Sequence, residues 1–231
     1  MADILVADDT RSIRTALSIL LEEAGHTVRL ASNGDEALSE YGRRRPDMLL
    51  LDIVMPKKNG YQVLAQIRRN DPLLPVIFLS ARGSPADVAL GLDLGSDDYI
   101  PKPFDNEVLL SRINAVFRRV SAHATVQDTP GEAGFAMGTH WVDAGRYMLI
   151  DEAGNEDPLT MREMGILRIL AATPGRVVDR DRIFNEVWGH GYFGTTRTLD
   201  QYITQLRRKL GSDGVCIDSV RGAGYRYVPK T

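Results

Sequence analysis

The segment Met48-Leu-Leu-Leu-Asp-Ile-Val-Met-Pro-Lys-Lys-Asn-Gly60 decides the fold of the first half of the chain. Its four leading apolar residues predict a short buried strand, and Asp52 stands where that strand ends. Asn59 is a residue type that begins helices, and an amphipathic pattern follows over residues 59–69. The segment therefore indicates a strand, a loop and a helix, with a carboxylate at the end of the strand.

The same unit recurs along residues 1–120. Short strands are predicted at Ile4–Ala7, Val28–Ala31, Met48–Leu51, Val76–Leu79 and Asp98–Ile100. Helices are predicted at 11–24, 33–43, 59–69, 85–94 and 105–120. Because strands that alternate with helices build a parallel sheet covered on both faces, we expect an α/β domain with a doubly wound, flavodoxin-like (βα)5 fold. Ligands bind such sheets beyond the carboxyl ends of the strands.

Residues 121–134 read SAHATVQDTPGEAG, a stretch rich in small and polar residues. This stretch separates the first half of the chain from the second. We place a linker at 121–133 and a second domain, of α+β class, at 134–231. Strands are predicted at Phe135–Met137, Trp141–Asp143 and Tyr147–Ile150, and helices at 160–172, 180–187 and 196–210. The tail predicts a hairpin, with the strands Val215–Asp218 and Tyr225–Val228 around a glycine turn.

The composition, 43% hydrophobic and 26% charged over 231 residues, is that of a globular protein. With no basic leader and no run of about 18 apolar residues, we expect neither an export signal nor a membrane anchor. The single cysteine, Cys216, fits a reducing cytosol, and we interpret it as a small buried hydrophobe. We therefore expect a cytoplasmic protein.

The net charge of −3 conceals a basic cluster near the end of the chain. Residues 195–231 carry seven basic side chains against three acidic ones, whereas residues 1–129 carry 15 against 18. Such clustering is typical of a surface that binds phosphates, although a solvated basic helix would have the same charge.

Three carboxylates are predicted to meet at one edge of the parallel sheet. Asp8 and Asp9 end the first strand, and Asp52 ends the third. Because like charges at this distance repel, we expect a hard divalent cation with oxygen ligands, and Mg²⁺ fits such a site.

A hydroxyl and an ammonium are predicted at the same edge, since Ser80 follows the fourth strand and Lys102 the fifth. Mg²⁺ and Lys102 would neutralise phosphoryl oxygens, and Ser80 would donate a hydrogen bond to one of them. Asp52 would attack phosphorus as a covalent nucleophile. The five groups together predict a phosphoryl-transfer site.

These motifs resemble the receiver domain of two-component response regulators over residues 3–120. The resemblance rests on Asp8-Asp9, Asp52-Ile-Val-Met-Pro56, Asn59-Gly60, Ser80-Ala81, Tyr99 and Lys102-Pro103-Phe104. It implies that a sensor histidine kinase phosphorylates Asp52. It also implies that Asp9, Asp52 and the backbone carbonyl of Val54 hold Mg²⁺, with Asp8 acting through water.

A switch is expected at Ser80 and Tyr99. Once a phosphoryl oxygen lies beside Ser80, the hydroxyl moves inward and leaves space that the ring of Tyr99 can enter. Because Tyr99 lies on the fifth strand, its rotation would change the surface formed by the neighbouring helices.

The predicted helix at 196–210 has one apolar face and one polar face. Leu199, Ile203, Leu206 and Leu210 recur every three or four residues, which predicts one buried stripe. The other face is expected to bind double-stranded DNA. Its candidate contacts are Arg197, Thr198, Gln201, Tyr202, Thr204, Gln205, Arg207 and Arg208.

Residues 134–231 resemble the winged-helix effector domain of the OmpR/PhoB family. The motifs are Pro158-Leu-Thr-Met-Arg-Glu163, Pro174-Gly-Arg-Val-Val178, Val187-Trp-Gly189, Arg197-Thr-Leu-Asp200, Leu206-Arg-Arg-Lys-Leu210 and Val220-Arg-Gly-Ala-Gly-Tyr-Arg226. The resemblance implies that the helix from Thr196 reads the major groove of promoter DNA, while Arg221 enters the minor groove. It also implies that residues 188–195 face RNA polymerase, although we favour Trp188 itself as a core residue. Further hairpin contacts are expected from Ser219, Tyr225 and Arg226.

The resemblance also implies a homodimer through the predicted helix at 85–94, the fifth strand and the helix at 105–120. Six positions are expected at its interface: Leu90, Asp97, Asp98, Val108, Arg112 and Arg119. Leu90 and Val108 replace an ion pair of the family pattern by an apolar contact. Because exposed ion pairs contribute about 0–1 kcal/mol, this replacement could make the dimer less dependent on phosphorylation.

The pair Thr204-Gln205 departs from the family pattern, which often has basic residues there. We therefore expect modest DNA affinity with a shallow dependence on salt, and binding as a dimer to tandem half-sites.

Two other interpretations stay open. An aspartyl-phosphate phosphatase would also use Asp, Mg²⁺ and Lys, but it usually has Asp-x-Asp after one strand, whereas Ile53 and Val54 follow Asp52. A regulator with a vestigial pocket would bind DNA constitutively, yet all five pocket groups are present.

Overall fold

The computed structural model describes residues 1–81, 94–126, 134–188 and 196–229, with side chains except at 119–126 and 196–198. The chain divides into two compact units, Met1–Ser121 and Ala122–Thr231. Among the described residues, no helix has both the length and the hydropathy needed to cross a bilayer.

The first unit has a five-stranded sheet whose neighbouring strands are all parallel, in the order β2-β1-β3-β4-β5. Its strands are β1 Asp3–Ala7, β2 Thr27–Ala31, β3 Met48–Asp52, β4 Val76–Ser80 and β5 Asp98–Pro101. Its helices are α1 Arg11–Glu23, α2 Gly34–Arg43, α3 Gly60–Arg68 and α4 Asn106–Val126. This topology confirms the predicted (βα)5 doubly wound fold. The helix predicted at 85–94 lies outside the described residues except for its last position.

Helices cover both faces of this sheet because each of its central strands is apolar except for one terminal residue. All residues of β1, β3 and β4 are buried. On one face they pack against Val63, Leu64 and Ile67 of α3, and on the other against Leu17 of α1 and Ile113 of α4, together with their neighbours. The sequence placed these strands within about one residue, because only a strand with two covered faces tolerates such runs.

Capping residues fix where two of the helices begin. Asn59 accepts a hydrogen bond from the backbone N–H of Gln62 at 2.9 Å, and the Gln62 side chain accepts one from the Asn59 N–H at 3.1 Å. Asn33 accepts from the Glu36 N–H at 3.1 Å. Each cap contributes about 1 kcal/mol. The cap at Asn59 also fixes the end of the loop that begins at Asp52.

The second unit has a four-stranded antiparallel sheet, three helices and a three-stranded sheet, which together form a winged-helix domain. The first sheet is β6 Phe135–Met137, β7 His140–Asp143, β8 Met148–Ile150 and β9 Glu156–Pro158. The helices are α5 Met161–Ala171, α6 Arg180–Trp188 and α7 Thr196–Lys209. The second sheet comprises β10 Val177–Asp179, β11 Ile217–Val220 and β12 Gly224–Tyr227, with β12 in the middle.

Most predicted elements agree with the structure within about one residue, and the larger differences are the following. Helix α4 continues to Val126 and so enters the predicted linker at 121–133, where alanines at 122 and 124 favour a helix. The three-residue strands β9 and β10 were not predicted. The first hairpin strand begins at Ile217, because Val215 belongs to a 3-10 helix, Gly211–Cys216.

Candidate functional site

Three carboxylates meet at the carboxyl edge of the parallel sheet. Asp8 follows β1, Asp52 is the last residue of β3, and Asp9 stands exposed beside them. One oxygen of each side chain lies within 4.8 Å of an oxygen of the other two. A set of oxygen ligands that is buried on one side and open on the other fits Mg²⁺, which usually keeps several of its waters.

Lys102 joins two of these carboxylates. Its Nζ atom lies 2.6 Å from Oδ2 of Asp8 and 2.9 Å from Oδ2 of Asp52. The Lys102 side chain is only 11% exposed. Its backbone N–H donates to the Ser80 carbonyl at 2.8 Å, which aligns the two residues at the ends of β4 and β5. Asp8, Asp52, Ser80 and Lys102 are thus brought to one edge, as predicted.

The surroundings of Asp52 act on its pKa in opposite directions. Burial raises the pKa of Asp52 above its usual value, and the charge of Asp8 adds to this effect. The hydrogen bond and positive charge of Lys102 offset part of the rise. A bound cation would favour the ionised form further, and the ionised form is the nucleophile.

Local backbone contacts hold the pocket in shape. Asp8 accepts a hydrogen bond from the Thr10 N–H at 2.9 Å, and its carbonyl accepts one from Arg14 at 2.6 Å. The loop after β3 must turn closely at Gly60, where a Cβ atom would collide with the backbone of Asp52. Val54, the expected carbonyl ligand, lies in this loop and is half exposed. Its N–H donates to Oδ1 of Asp52 at 3.4 Å.

The two predicted switch residues are both buried. Ser80 is fully buried at the end of β4, and Tyr99 is 4% exposed on β5. The Tyr99 ring packs against Phe78 with a centroid distance of 6.4 Å. Ser80 pairs in register with Pro101, two residues beyond Tyr99 on the neighbouring strand.

The apolar stripe of α7 is buried as predicted, with Leu199, Ile203, Leu206 and Leu210 all at most 1% exposed. Tyr202 was predicted on the DNA-facing side, and that prediction is wrong. It is 1% exposed and packs edge-to-face on Trp188 at 5.3 Å between centroids. Trp188 is itself buried, as we favoured. A position three residues after Leu199 lies on the flank of the stripe, and Trp188 covers that flank.

Several other predicted DNA contacts are engaged within their own domain. Arg207 donates to the Ile217 carbonyl at 3.0 and 2.6 Å and to the Ser219 hydroxyl at 2.8 Å. Tyr225 was predicted as a DNA contact, but it is 2% exposed and its hydroxyl donates a hydrogen bond to Asp200. The structure therefore does not present it to DNA. Arg226 forms an ion pair with Asp218 at 2.6 Å instead of standing free beside the hairpin.

The remaining candidates form an open surface on α7 and the hairpin. Thr204, Arg208, Ser219 and Arg221 are exposed, and Gln201 and Gln205 are partly exposed. The side chains of Arg197 and Thr198 lie outside the described residues.

Some of the residues expected at the dimer interface are engaged within their own chain, whereas Val108 is exposed. Asp97 is 7% exposed and accepts the Val76 N–H at 2.9 Å, and it pairs with Arg68 at 3.4 Å. The prediction that Asp97 offers a carboxylate to a second chain is therefore corrected. Asp98 pairs with Arg112 of its own chain at 3.0 Å. Val108 is 46% exposed, whereas Leu90 and the side chain of Arg119 lie outside the described residues.

One network was missed from the sequence. Arg180 at the start of α6, Asp200 on α7 and Tyr225 on β12 bind one another. They are 20 and 25 residues apart, a spacing that follows no helix or strand period.

Comparisons with known proteins agree with both halves of the fold. Residues 4–114 match the response regulator receiver domain, and residues 154–227 match the C-terminal domain of transcriptional regulatory proteins. The response regulator MprA of Mycobacterium leprae (strain TN) is 38% identical over 234 residues, which is 96% of each chain. The transcriptional regulatory protein AfsQ1 of Streptomyces coelicolor is 37% identical over 99% of each chain.

A solved structure is similar over nearly the same length of the chain. The response regulator DrrB, described as a Thermotoga maritima OmpR/PhoB homolog, covers 99% of each chain with a TM-score of 0.51 and 26% identity. The matched receiver domain contains the carboxylate pocket, and the matched C-terminal domain contains α7 and the hairpin. The chain therefore belongs to the OmpR/PhoB-type response regulators of two-component systems, in which a receiver domain is joined to a winged-helix DNA-binding domain.

Proposed function

We propose that this chain is a phosphorylation-controlled transcription regulator whose phosphoacceptor is Asp52. The observation that carries the proposal is the position of Lys102, whose ammonium bridges Asp8 and Asp52 within a cluster of three carboxylates. Such a cluster supplies one nucleophile, ligands for a cation and a fixed positive charge. These are the groups that phosphoryl transfer requires.

Each pocket residue has a role in this proposal. An oxygen of Asp52 attacks phosphorus of a phosphohistidine on the sensor kinase, and the bond from phosphorus to the histidine nitrogen breaks. Lys102 and the Ser80 hydroxyl bind oxygens of the transferred group. Asp9, Asp52 and the Val54 carbonyl would hold Mg²⁺, with Asp8 acting through water, and the ion supplies further positive charge. The only reactions of the chain are its own phosphorylation and the hydrolysis of the resulting acyl phosphate.

An apolar groove beside the pocket supports a protein as the phosphodonor. It has a volume of about 530 Å³ and lies between α1 and the segment that follows β5. Ile13, Leu20 and Phe104 line it, and Lys102 belongs to its wall. A docked kinase helix could therefore bury apolar surface next to Asp52.

The phosphorylated receiver acts by forming a dimer, in this proposal. Ser80 and Tyr99 carry the change from the pocket to β5. The dimer surface comprises the predicted helix at 85–94, β5 and α4. An apolar contact of Leu90 and Val108 contributes to it, and Asp98, Arg112 and Arg119 stand nearby. Asp97 is not assigned to this surface, because its carboxylate is engaged by the Val76 N–H and by Arg68.

The dimer binds two tandem half-sites of promoter DNA in the cytoplasm, where RNA polymerase meets it. Helix α7 lies in the major groove and presents Gln201, Gln205 and Arg208 to it, together with Arg197 and Thr198. Arg221 enters the minor groove, with Ser219 at the adjacent backbone. Trp188 is buried and so is excluded as the polymerase contact.

DNA binding before and after phosphorylation tests this function. A duplex is first selected from a random-sequence library with the wild-type protein and is then titrated by fluorescence anisotropy. Acetyl phosphate with Mg²⁺ is expected to tighten binding of the wild type but not of Asp52→Asn. Equal tightening of both proteins would overturn the assignment of Asp52, and no selected duplex at all would overturn DNA binding.

A further inference from the structure

We propose that Asp200 is a positioning residue for DNA binding, which with Arg180 and Tyr225 fixes the angle between α7 and the β11–β12 hairpin. The inference rests on the proposed function, because it takes α7 and the hairpin as the two DNA-contacting elements. It concerns how they are held rather than which bases they contact.

The three residues form a closed triangle between three elements. The Asp200 carboxylate accepts hydrogen bonds from the Tyr225 hydroxyl and from the Arg180 guanidinium. A second nitrogen of Arg180 donates to the Tyr225 hydroxyl oxygen at 3.1 Å. The guanidinium carbon also lies 4.9 Å from the centroid of the Tyr225 ring. Helix α7 therefore cannot turn against β12 without breaking charge-assisted bonds.

The negative charge of Asp200 is unfavourable on a helix that binds DNA. A carboxylate on the helix that meets DNA should repel phosphate, and this side chain is 46% exposed. Arg180 forms an ion pair with this carboxylate and so offsets part of its charge. A role in holding the helix accounts for a carboxylate at this position of α7.

Tyr225 is suited to donate to Asp200 under all ordinary conditions. Burial, together with the neighbouring carboxylate of Asp200, raises the pKa of Tyr225 to about 12. Its hydroxyl therefore keeps its proton at physiological pH. Since the residue is 2% exposed, it acts through Asp200 rather than through its own contact with DNA.

A second attachment holds the other end of the same helix. Arg207 donates to the Ile217 carbonyl and the Ser219 hydroxyl of β11. It lies seven residues after Asp200, or about 10 Å along the helix axis. Two attachments at this separation fix the orientation of α7 relative to the hairpin, whereas a single attachment would let the helix rotate about it. Arg221 at the hairpin turn then reaches the minor groove only when α7 lies correctly in the major groove.

The test compares the variants Asp200→Asn and Tyr225→Phe with Asp181→Asn, an exposed residue of α6 with the same charge change as Asp200→Asn. The readout is the ratio of affinity for the selected duplex to affinity for a scrambled duplex of equal length. Loss of folded protein lowers both affinities equally and leaves this ratio unchanged, so the ratio reports positioning.

If Asp200 positions α7, Asp200→Asn and Tyr225→Phe lower the ratio about tenfold, and the double variant is no worse than either single one. Asp181→Asn leaves the ratio at the wild-type value. Unchanged or tighter specific binding by Asp200→Asn would overturn the inference, as would an unchanged ratio for Tyr225→Phe. A wild type that fails to distinguish the two duplexes would instead overturn the proposed function.

Discussion

The ammonium of Lys102 lies 2.6 Å from a carboxylate oxygen of Asp8, a residue with no exposed surface. The same Nζ atom lies 2.9 Å from Oδ2 of Asp52, so one ammonium group pairs with two buried carboxyl groups. Removing one member of a buried pair leaves a charge that water cannot reach. In the proposed function Lys102 and Mg²⁺ would bind phosphoryl oxygens, and the stability of the pocket should depend on which of these positive charges is present.

Replacement of Lys102 by an uncharged residue should destabilise the receiver domain. We expect Lys102→Met to lower its free energy of unfolding by about 3 kcal/mol in EDTA, because Asp8 and Asp52 lose their partner. Saturating MgCl₂ should restore part of the loss, since the ion neutralises the same carboxylates. Urea unfolding measures both effects. Lys58→Met is the control, because Lys58 pairs with Asp35 at the surface and should contribute at most about 1 kcal/mol. Equal effects of the two variants would contradict the prediction.

The buried charge of Asp52 should make stability depend on pH in a specified direction. The pKa of Asp52 is raised in the folded protein, so its contribution is favourable at acid pH and is lost as pH rises through that pKa. Asp52→Asn should therefore be more stable than wild type at neutral pH in EDTA, and its advantage should shrink as pH falls. Thermal unfolding across this range measures the difference.

Asp35 is a control for Asp52, because its pKa is shifted in the opposite direction. Its hydrogen bond to Lys58 lowers the pKa of Asp35, so the contribution of this group is present at neutral pH and is lost on acidification. Asp35→Asn should be slightly less stable than wild type at neutral pH, and the deficit should vanish in acid. The same pH trend in both variants would contradict the assignment for Asp52.

Tyr202 should behave as a core residue and not as a DNA contact. We expect Tyr202→Ala to cost about 3 kcal/mol of stability, because it leaves a cavity against Trp188. Tyr202→Phe keeps the ring, so its folded form should bind DNA within about twofold of wild type. Chemical unfolding and anisotropy measure the two quantities. A stable Tyr202→Phe protein with strongly reduced DNA affinity would restore Tyr202 to the DNA-binding surface.

Two adjacent arginines should give different results. Arg208 is exposed, so Arg208→Ala should weaken binding to all duplexes and reduce the slope of log K against log salt by about 1. Arg207 bonds to β11, so Arg207→Ala should chiefly lower stability and specificity. The wild-type slope itself should be shallow, because Thr204 and Gln205 carry no charge. A slope corresponding to about ten released counterions would contradict this account.

Val108 tests the dimer surface. It is 46% exposed on α4, so Val108→Asp should leave stability nearly unchanged while weakening the phosphorylated dimer. Asn114→Asp, an exposed change on the same helix, is the matched control. Sedimentation velocity measures the dimer fraction. Equal dimerisation of Val108→Asp and wild type would remove Val108 from the interface. A wild type that is monomeric at tens of micromolar without phosphate would show that the apolar contact has not relaxed control by phosphorylation.

The sequence predicted the receiver pocket because topology determines it. Asp52 and Ser80 are the last residues of their strands, and Asp8 and Lys102 directly follow theirs. Parallel strands end at one edge whatever the details of packing. Their meeting therefore required only the correct strand positions. The runs that form β1, β3 and β4 were apolar enough to fix those positions.

The DNA-binding surface was less predictable because packing across the domain decides it. Periodicity placed Leu199 and Ile203 inside, but it could not show that Trp188 also covers Tyr202. Nor does spacing reveal that Arg207 bonds to Ile217, ten residues later, instead of facing solvent. Short strands such as β9 form only because their neighbours offer hydrogen bonds, so their own residues carry little signal.

Phosphorylation of Asp52 is the central claim, and Phos-tag electrophoresis combined with sedimentation velocity tests it most directly. Wild type and Asp52→Ala are compared after treatment with acetyl phosphate and Mg²⁺. We expect only the wild type to shift on the gel and to gain dimer in solution. A shift of both proteins would place the phosphoryl group elsewhere. No shift of either, with both already dimeric, would show a DNA-binding protein that works without phosphorylation.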